Sequence, residues 1–207
     1  MKFDRNSVVY AAVFTFVVCV AFVVILAVAN QLTLERVKAN RLFEAHFAVV
    51  KAFGLADAAT PRDQVESAYA SLIKEKAIDK VQAYTAEIDG QLYVGVRLTM
   101  PGLWGPITAV LAADPQGAVI RGFEIVDQQE TPGLGGRIGE PWFTAQFRGK
   151  KVRPDGTIEV AQGSGKGNFD PENGTVDAVT GASRTSDFIK ALVNRSLALV
   201  REVGGSL

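Results

Sequence analysis

Four hydroxyl side chains crowd one short segment near the carboxyl end of the 207-residue chain. Residues 175–179 are rich in β-branched residues and predict a strand, Gly181 predicts a turn, and apolar residues at helical spacing predict a helix that begins at or just after Ser183. Such a segment places backbone N–H groups and hydroxyls at the positive end of a helix dipole, which suits a phosphate group. The hydroxyls belong to Thr180, Ser183, Thr185 and Ser186. The competing interpretation is an ordinary N-cap formed by Ser183 or Thr185.

Two further loops combine glycines with a large apolar residue. Residues 129–136 contain Pro132-Gly133, which predicts a type II turn, followed by glycines that allow close approach to a ligand. We expect Leu134 to lie exposed on this loop, which costs free energy unless something flat covers it. The segment Gly102-Leu103-Trp104-Gly105 presents an aromatic residue in the same way, and Trp104 either packs in the core or contacts a flat cofactor.

Composition limits the chemistry that this chain can perform by itself. Lys and Arg together number 22, as do Asp and Glu, so net charge gives no reason to expect nucleic acid binding. A single cysteine, Cys19, excludes an internal disulfide and a cysteine-held iron–sulfur cluster within this chain. With His46 as the one histidine, there is little material for a zinc site or a histidine triad. We therefore predict no metal site.

One glycine-rich segment looks like a phosphate-binding loop but departs from the motif. Residues 163–167 read Gly-Ser-Gly-Lys-Gly, and Gly167 stands where a Walker A loop needs Ser or Thr. We interpret the segment as a mobile surface loop.

The amino-terminal part predicts a membrane anchor. No residue from Asn6 to Leu34 is charged, and the almost wholly apolar residues 8–29 would span roughly 33 Å as a helix, enough to cross a bilayer core. A cleaved signal peptide is the alternative, since Ala27-Val28-Ala29 resembles a cleavage site, but signal sequences have shorter apolar regions of about 7–15 residues. A retained transmembrane helix is favoured.

The remainder predicts an α+β domain that follows this single transmembrane helix. Helical spacing continues as a stalk helix to Gly54, and Thr60-Pro61 opens a second helix. Asp89-Gly90 predicts a β-hairpin between residues 81–88 and 91–100, and residues 114–117 predict another. The expected domain is an antiparallel sheet with a carboxyl-terminal helix.

Taken together, the three loops resemble those of FMN-binding domains. Thr180-Gly181-Ala182-Ser183 is similar to the Ser/Thr-Gly-Ala-Thr motif of that family, and residues 130–135 and 102–105 match two further signatures. These domains occur in the C subunit of the sodium-translocating NADH:quinone reductase and in the G subunit of the Rnf electron-transport complex. The Gly-Leu-Trp-Gly segment resembles the first of these two more closely. The implied organisation is a short head (1–7), a transmembrane helix (8–30), a stalk helix (31–56) and an FMN-binding domain (57–207).

The resemblance implies that FMN is attached through its phosphate to a hydroxyl, in a phosphoester bond made by a separate flavin transferase. Ser183 stands where the family has threonine and is the first candidate for this bond; Thr185 is the second, and binding without a covalent link is a further alternative. We expect Leu134 to pack on the flavin ring, Thr131 to bond its polar edge and Trp104 to lie close. The other implied cofactor-binding residues are Thr180, Gly181, Ala182, Glu130, Gly133, Gly135 and Gly136.

The implied function is electron relay by the flavin, with no catalytic residue of the chain's own. The resemblance implies an electron-transfer subunit of a multi-subunit NADH:quinone oxidoreductase, or of a ferredoxin:NAD one, coupled to sodium or proton movement. The other membrane subunits would be its partners. It also implies a single-pass protein of the bacterial inner membrane with its flavin domain on the periplasmic side. The alternatives are a stand-alone membrane-anchored FMN carrier for another reductase, and a non-redox anchored scaffold in which the loops are only turns.

Overall fold

The computed structural model describes residues 7–78 and 81–207. The described residues fall into two units, divided between Leu42 and Phe43. Apart from Ser7, the predicted head lies outside the described residues. Beyond Ser7, the described part of the first unit is helical and forms the first part of α1 (Val8–Ala52). The apolar stretch of this helix is exposed, and it is long and apolar enough to cross a membrane. The helix thus continues from the predicted transmembrane segment into the predicted stalk segment without a break, and it ends at Ala52, four residues before the predicted end of the stalk.

The last turns of α1 belong to the second unit and are buried there. Val49 and Val50 are almost fully inaccessible to solvent. Gly54 ends the helix as expected, since its N–H donates to the Lys51 carbonyl and the Leu55 N–H donates to the Val50 carbonyl, both at 2.9 Å. These two bonds form a Schellman motif.

The second unit is built on a five-stranded sheet in which every neighbouring pair is antiparallel and the strands follow chain order. The hairpin predicted at Asp89-Gly90 joins β2 to β3 and is confirmed. The first strand was not expected, because three of its five residues are charged; it forms one edge of the sheet. The strands are β1 (Lys74–Ile78), β2 (Val81–Ile88), β3 (Gln91–Pro101), β4 (Pro106–Ala113) and β5 (Ile120–Asp127).

Helices and a small second sheet complete the unit. Strands β6 and β7 pair in parallel, with Ala161 opposite Asp177, and this parallel pair was not predicted. The predicted α+β class is confirmed. The elements are α2 (Arg62–Leu72), a 3₁₀ helix (Gly135–Gly139), α3 (Pro141–Ala145), β6 (Glu159–Ala161), β7 (Thr175–Asp177) and α4 (Ser183–Gly204).

Helices cover both faces of the five-stranded sheet. On one face, the apolar side of α4 packs with Val96 and Leu111, and on the other face α2 and the end of α1 pack with Val110 and Ala112. Strand β4 contributes to both clusters because its alternate side chains point to opposite faces. The result is a rigid platform whose connecting loops carry the candidate site.

Candidate functional site

The three loops predicted from the sequence converge on one cavity of about 440 Å³. They are the β3–β4 loop, the segment that follows β5, and the turn before α4. Cavities of this size commonly hold small molecules and cofactors. The lining residues are Leu103, Trp104, Glu130, Thr131, Leu134, Gly135, Gly181, Ala182, Ser183, Arg184 and Thr185.

A buried carboxylate fastens the three loops to one another. Glu130 is 4% exposed, and its Oε1 accepts the backbone N–H groups of Leu103 and Trp104, at 2.8 and 3.1 Å. Its Oε2 accepts the hydroxyl of Thr185 at 2.6 Å. Because protein donors engage both oxygens, Glu130 sets the mutual position of the loops.

Two glycines let the chain approach this carboxylate closely. A Cβ atom at Gly102 would lie 2.7 Å from Glu130 Oε1, and one at Gly135 would lie 2.5 Å from Thr185 Oγ1. Both distances are below any ordinary van der Waals contact. A larger residue at either position would therefore push the loops apart.

The loop after β5 turns at Pro132-Gly133 and carries Leu134 to the cavity. The Leu134 N–H donates to the Thr131 carbonyl at 3.1 Å, and Gly133 has φ +75°, so the predicted type II turn is confirmed. Leu134 is 46% exposed, and its Cδ2 lies against Gly181, which has φ +80°. The second and third loops thus meet at an apolar contact.

Trp104 stands at the opening of the cavity. Its side chain is 70% exposed, so the core-packing interpretation of this residue is wrong. Leu103 beside it is 50% exposed. An aromatic and two aliphatic side chains therefore offer flat apolar surface around the cavity.

The two candidate attachment hydroxyls differ sharply in environment. Ser183 is exposed and lines the cavity, and its Oγ accepts a hydrogen bond from Gln162 Nε2 at 3.1 Å. Thr185 is 1% exposed, and its hydroxyl is committed to Glu130. Solvent and any incoming reagent can reach the first hydroxyl much more readily than the second.

The prediction that Ser183 or Thr185 caps α4 is wrong. Ala182 occupies the N-cap position, and no side chain of the described residues caps the helix there. The hydroxyl of Ser186 instead accepts the Val179 N–H at 3.2 Å and donates to the Ala182 carbonyl at 3.0 Å. The helix start, with its free N–H groups and positive dipole end, thus faces the cavity.

A larger cavity of about 660 Å³ lies elsewhere in the second unit, beside Tyr93, Arg121 and Arg148. None of the predicted site residues lines it. Volume alone therefore does not mark the site, and the meeting of the three loops does.

Comparison with known proteins agrees with this geometry. Residues 102–198, which contain all three loops, match the family model described as FMN-binding domain. This part of the chain is therefore similar to FMN-binding domains. The predicted resemblance to the FMN-binding subunit family is confirmed, and the relatives are of the C-subunit type.

Two curated relatives illustrate the similarity. The C subunit of the Na(+)-translocating NADH-quinone reductase of Neisseria meningitidis serogroup A is 46% identical over 86 residues, which cover 41% of this chain and 33% of that protein. The corresponding protein of Yersinia pestis is 36% identical over 119 residues, covering 55% of this chain and 44% of that protein. The chain thus matches between a third and a half of the length of these relatives.

Two crystal structures share the fold of most of this chain. The C subunit of the same type of reductase from Parabacteroides distasonis superposes with a TM-score of 0.62 at 24% identity, covering 77% of this chain and 90% of that one. Shewanella oneidensis NqrC superposes with a TM-score of 0.66 at 17% identity, covering 82% and 100%. At these identities the likeness establishes the fold alone.

Sequence reasoning missed two residues beside the turn that precedes α4. Arg184 lines the cavity next to Ser183, and Gln162 contacts the Ser183 hydroxyl from the loop after β6. The first could have been inferred from its place directly after the motif at residues 180–183. The second follows from the parallel pairing of β6 and β7, which local sequence patterns did not reveal.

Proposed function

We propose that this protein is a membrane-anchored flavoprotein subunit that relays electrons through FMN bound at the three-loop cavity. The observation that carries the proposal is the convergence of all three loops on one cavity that includes the start of α4. When bound, FMN supplies the redox chemistry, and the protein supplies position, orientation and electrostatics.

The residues present fit both halves of FMN. The start of α4 offers free N–H groups and a positive dipole end to the phosphate, and the neighbouring Arg184 adds a positive charge. Leu134 and Trp104 offer exposed apolar surface to the flat ring system, and Thr131, which lines the cavity, is the proposed partner of a polar edge of the ring. The cavity thus combines an anion-binding end with an apolar end.

The proposed linkage is a phosphoester between the FMN phosphate and Ser183 Oγ. Exposure of Ser183 and burial of Thr185 favour the first hydroxyl, because a flavin transferase must reach the oxygen that it modifies. Modification of Thr185 would also remove the donor that Glu130 Oε2 engages. A covalent bond would keep the flavin at its site on the periplasmic face, where free FMN does not replace it.

The proposed setting is an ion-translocating NADH:quinone oxidoreductase, in which this chain takes the place of the C subunit. The similarity to such subunits and the helix able to cross a membrane support this setting. The other membrane subunits are the proposed electron donor and acceptor. Since the matched relatives are longer than the aligned stretch, membership of the complex needs its own test.

Absorption spectroscopy tests the flavoprotein proposal. The full chain is produced in bacterial membranes together with a flavin transferase, purified in detergent and examined in visible light. We expect the two absorption bands of an oxidised flavin, bleached by dithionite. A colourless protein would contradict the proposal and support a non-redox scaffold.

Co-purification tests the proposed complex. An affinity tag on the full chain in its native host should retrieve the other membrane subunits of the reductase. Retrieval of a different reductase would support the stand-alone carrier. For the orientation, we expect a protease added outside spheroplasts to digest residues 57–207, and their protection would contradict a periplasmic domain.

A further inference from the structure

The glycine-rich segment 162–167, which lies outside the three loops, directly contacts residues 180–183, the attachment turn of the proposed function. Gln162 Nε2 donates to Ser183 Oγ at 3.1 Å. A Cβ atom at Gly165 would lie 2.5 Å from Thr180 Oγ1, so the backbone of the segment approaches that hydroxyl more closely than a side chain would allow. The segment therefore borders the attachment turn at two points.

Strand pairing explains this placement. Because β6 and β7 are parallel, their carboxyl ends lie side by side, with Ala161 opposite Asp177. Just beyond this pair, the Ala178 N–H donates to the Ala161 carbonyl at 2.7 Å. The segment that follows β6 and the turn that follows β7 leave this edge side by side. Gln162 is the first residue after β6, and this position brings its side-chain amide within hydrogen-bond distance of the Ser183 hydroxyl.

A buried carboxylate holds the segment in position. Asp177 is 7% exposed and accepts the Ser164 hydroxyl at 3.0 Å and the Gly165 N–H at 3.2 Å. Donors of the segment thus engage the carboxylate of Asp177. Two cations, Lys166 and Arg184, are exposed and form no ion pair with another described residue, so they remain available to an anion.

The hydrogen bond from Gln162 reaches the atom that would react. A serine hydroxyl has one proton and two lone pairs, and the amide engages one lone pair. The rotation of the hydroxyl is thereby restricted, and its other lone pair is left for attack on phosphorus. Holding a nucleophile in one orientation accelerates its reaction.

We propose that Gln162 is a positioning residue that orients the Ser183 hydroxyl for flavin attachment. The proposal rests on the proposed function, namely that Ser183 carries FMN. In the attachment step, the Ser183 O–H bond breaks and an Oγ–P bond forms. The phosphoanhydride bond of a flavin nucleotide donor breaks, its nucleotide part leaves as a phosphate monoester, and the hydroxyl proton passes to solvent. No atom changes oxidation state.

The test measures how fast Ser183 acquires the flavin. The full chain in detergent is incubated with a flavin transferase and a flavin dinucleotide, and the modified fraction of the Ser183 peptide is followed over time by mass spectrometry. Gln162→Met keeps the length of the side chain but removes the donor, and we expect its initial rate to fall about tenfold. Gln162→Arg restores N–H donors and should recover most of the rate.

Matched variants separate positioning from folding. Gln116 is an exposed glutamine in the β4–β5 turn, and Gln116→Met should react at the unsubstituted rate. Gln162→Met should unfold at the same temperature as the unsubstituted chain, because the bond that it loses joins two exposed side chains. A slow rate that accompanies a lowered unfolding temperature and is not recovered by Gln162→Arg would overturn the positioning role.

The failure of each proposal has its own signature. If Ser183 becomes modified and Gln162→Met reacts at the unsubstituted rate, the positioning proposal is overturned and the attachment site stands. If the unsubstituted chain acquires no flavin on Ser183, both proposals are overturned.

Discussion

The floor and the rim of the cavity differ in how their polar and apolar groups are used. We define the floor as Glu130 and Thr185, which are nearly inaccessible and bonded to each other. We define the rim as Trp104, Leu134 and Ser183, which are exposed. The floor satisfies its hydrogen bonds within the protein, whereas the rim offers both apolar surface and an exposed hydroxyl to a ligand.

This difference separates two tasks of the residues in the sequence motifs, namely holding the loops together and contacting a ligand. Buried polar groups are stable only when paired, so floor residues hold the loops in register. Exposed apolar groups on a loop contribute little to folding, so rim residues are free to serve a ligand. Changes in the floor should therefore lower stability, and changes in the rim should alter cofactor binding with little effect on stability.

The largest effect is expected from Glu130→Ala. The substitution leaves two backbone N–H groups and the Thr185 hydroxyl without their acceptor, and we expect a loss of about 3–4 kcal/mol in the free energy of unfolding. Flavin content should fall as well. Thermal unfolding of the full chain in detergent provides the measurement. Glu130→Gln retains a carbonyl acceptor, so its loss of stability should be smaller. Equal losses for the two variants would show that the hydrogen bonds of the Glu130 carboxylate do not hold the loops together.

The opposite face of the sheet provides a comparison in which stability alone should change. Lys51 on α1 donates to Glu124 on β5 at 2.8 Å, and both side chains are largely buried. Removal of the ammonium group in Lys51→Met takes away the cation that most stabilises this buried carboxylate and leaves it the Thr144 hydroxyl and the charge of Arg148, at a cost of about 3 kcal/mol. Flavin content per folded molecule should not change. A loss of flavin would contradict the expectation that changes on this face of the sheet affect stability alone.

This penalty should depend on pH in a defined direction. Burial raises the pKa of the Glu124 carboxyl above its ordinary value of 4.5, and the Lys51 ammonium opposes that shift. Without Lys51 the pKa rises further, so the native state holds the proton to a higher pH than the unfolded chain does. Stability of Lys51→Met should therefore be lost as pH rises from 4.5 through the folded pKa. Unfolding at about pH 5 and about pH 8 provides the check: an equal penalty at both would contradict it.

Thr185→Val should have an intermediate effect on stability and should leave the flavin attached at Ser183. The isosteric change removes the donor to Glu130 Oε2, and we expect a loss of about 1–2 kcal/mol. Because Ser183 carries the proposed bond, covalent flavin should persist. In-gel fluorescence after denaturing electrophoresis provides the readout, and a dark band from folded protein would assign the bond to Thr185.

Trp104→Ala should have the smallest effect on stability, within about 0.5 kcal/mol, because the side chain is exposed. Loss of an aromatic contact should weaken the binding of free FMN to Ser183→Ala protein by about two- to tenfold. Fluorescence titration provides the measurement. Trp104→Phe should retain most of the affinity. An unchanged affinity in Trp104→Ala would show that Trp104 does not contribute to FMN binding.

The features predicted correctly from the sequence were those encoded within a few residues. Asp89-Gly90 specified its hairpin and Pro132-Gly133 its turn, because each dipeptide favours one backbone geometry. The capping prediction failed because Ser183 and Thr185 lie inside the helix and Ala182 precedes it.

Contacts between distant segments could not be read from local patterns. The partners Glu130 and Thr185 are 55 positions apart in the chain, and Gln162 and Ser183 are 21 apart. The pairing of β6 with β7 brings the second pair together, and the packing of α4 on the sheet brings the first pair together. For this reason the sequence indicated which loops form the site but not which of its hydroxyls is enclosed.

The mass of the peptide that contains Ser183 and Thr185 tests the central proposal most directly. The peptide is released by protease from the full chain produced together with a flavin transferase. We predict a mass increase equal to FMN minus one water, located on Ser183, absent from Ser183→Ala and present in Thr185→Val. An unmodified peptide from protein that has bound flavin, or a mass increase located on Thr185, would contradict the proposed attachment.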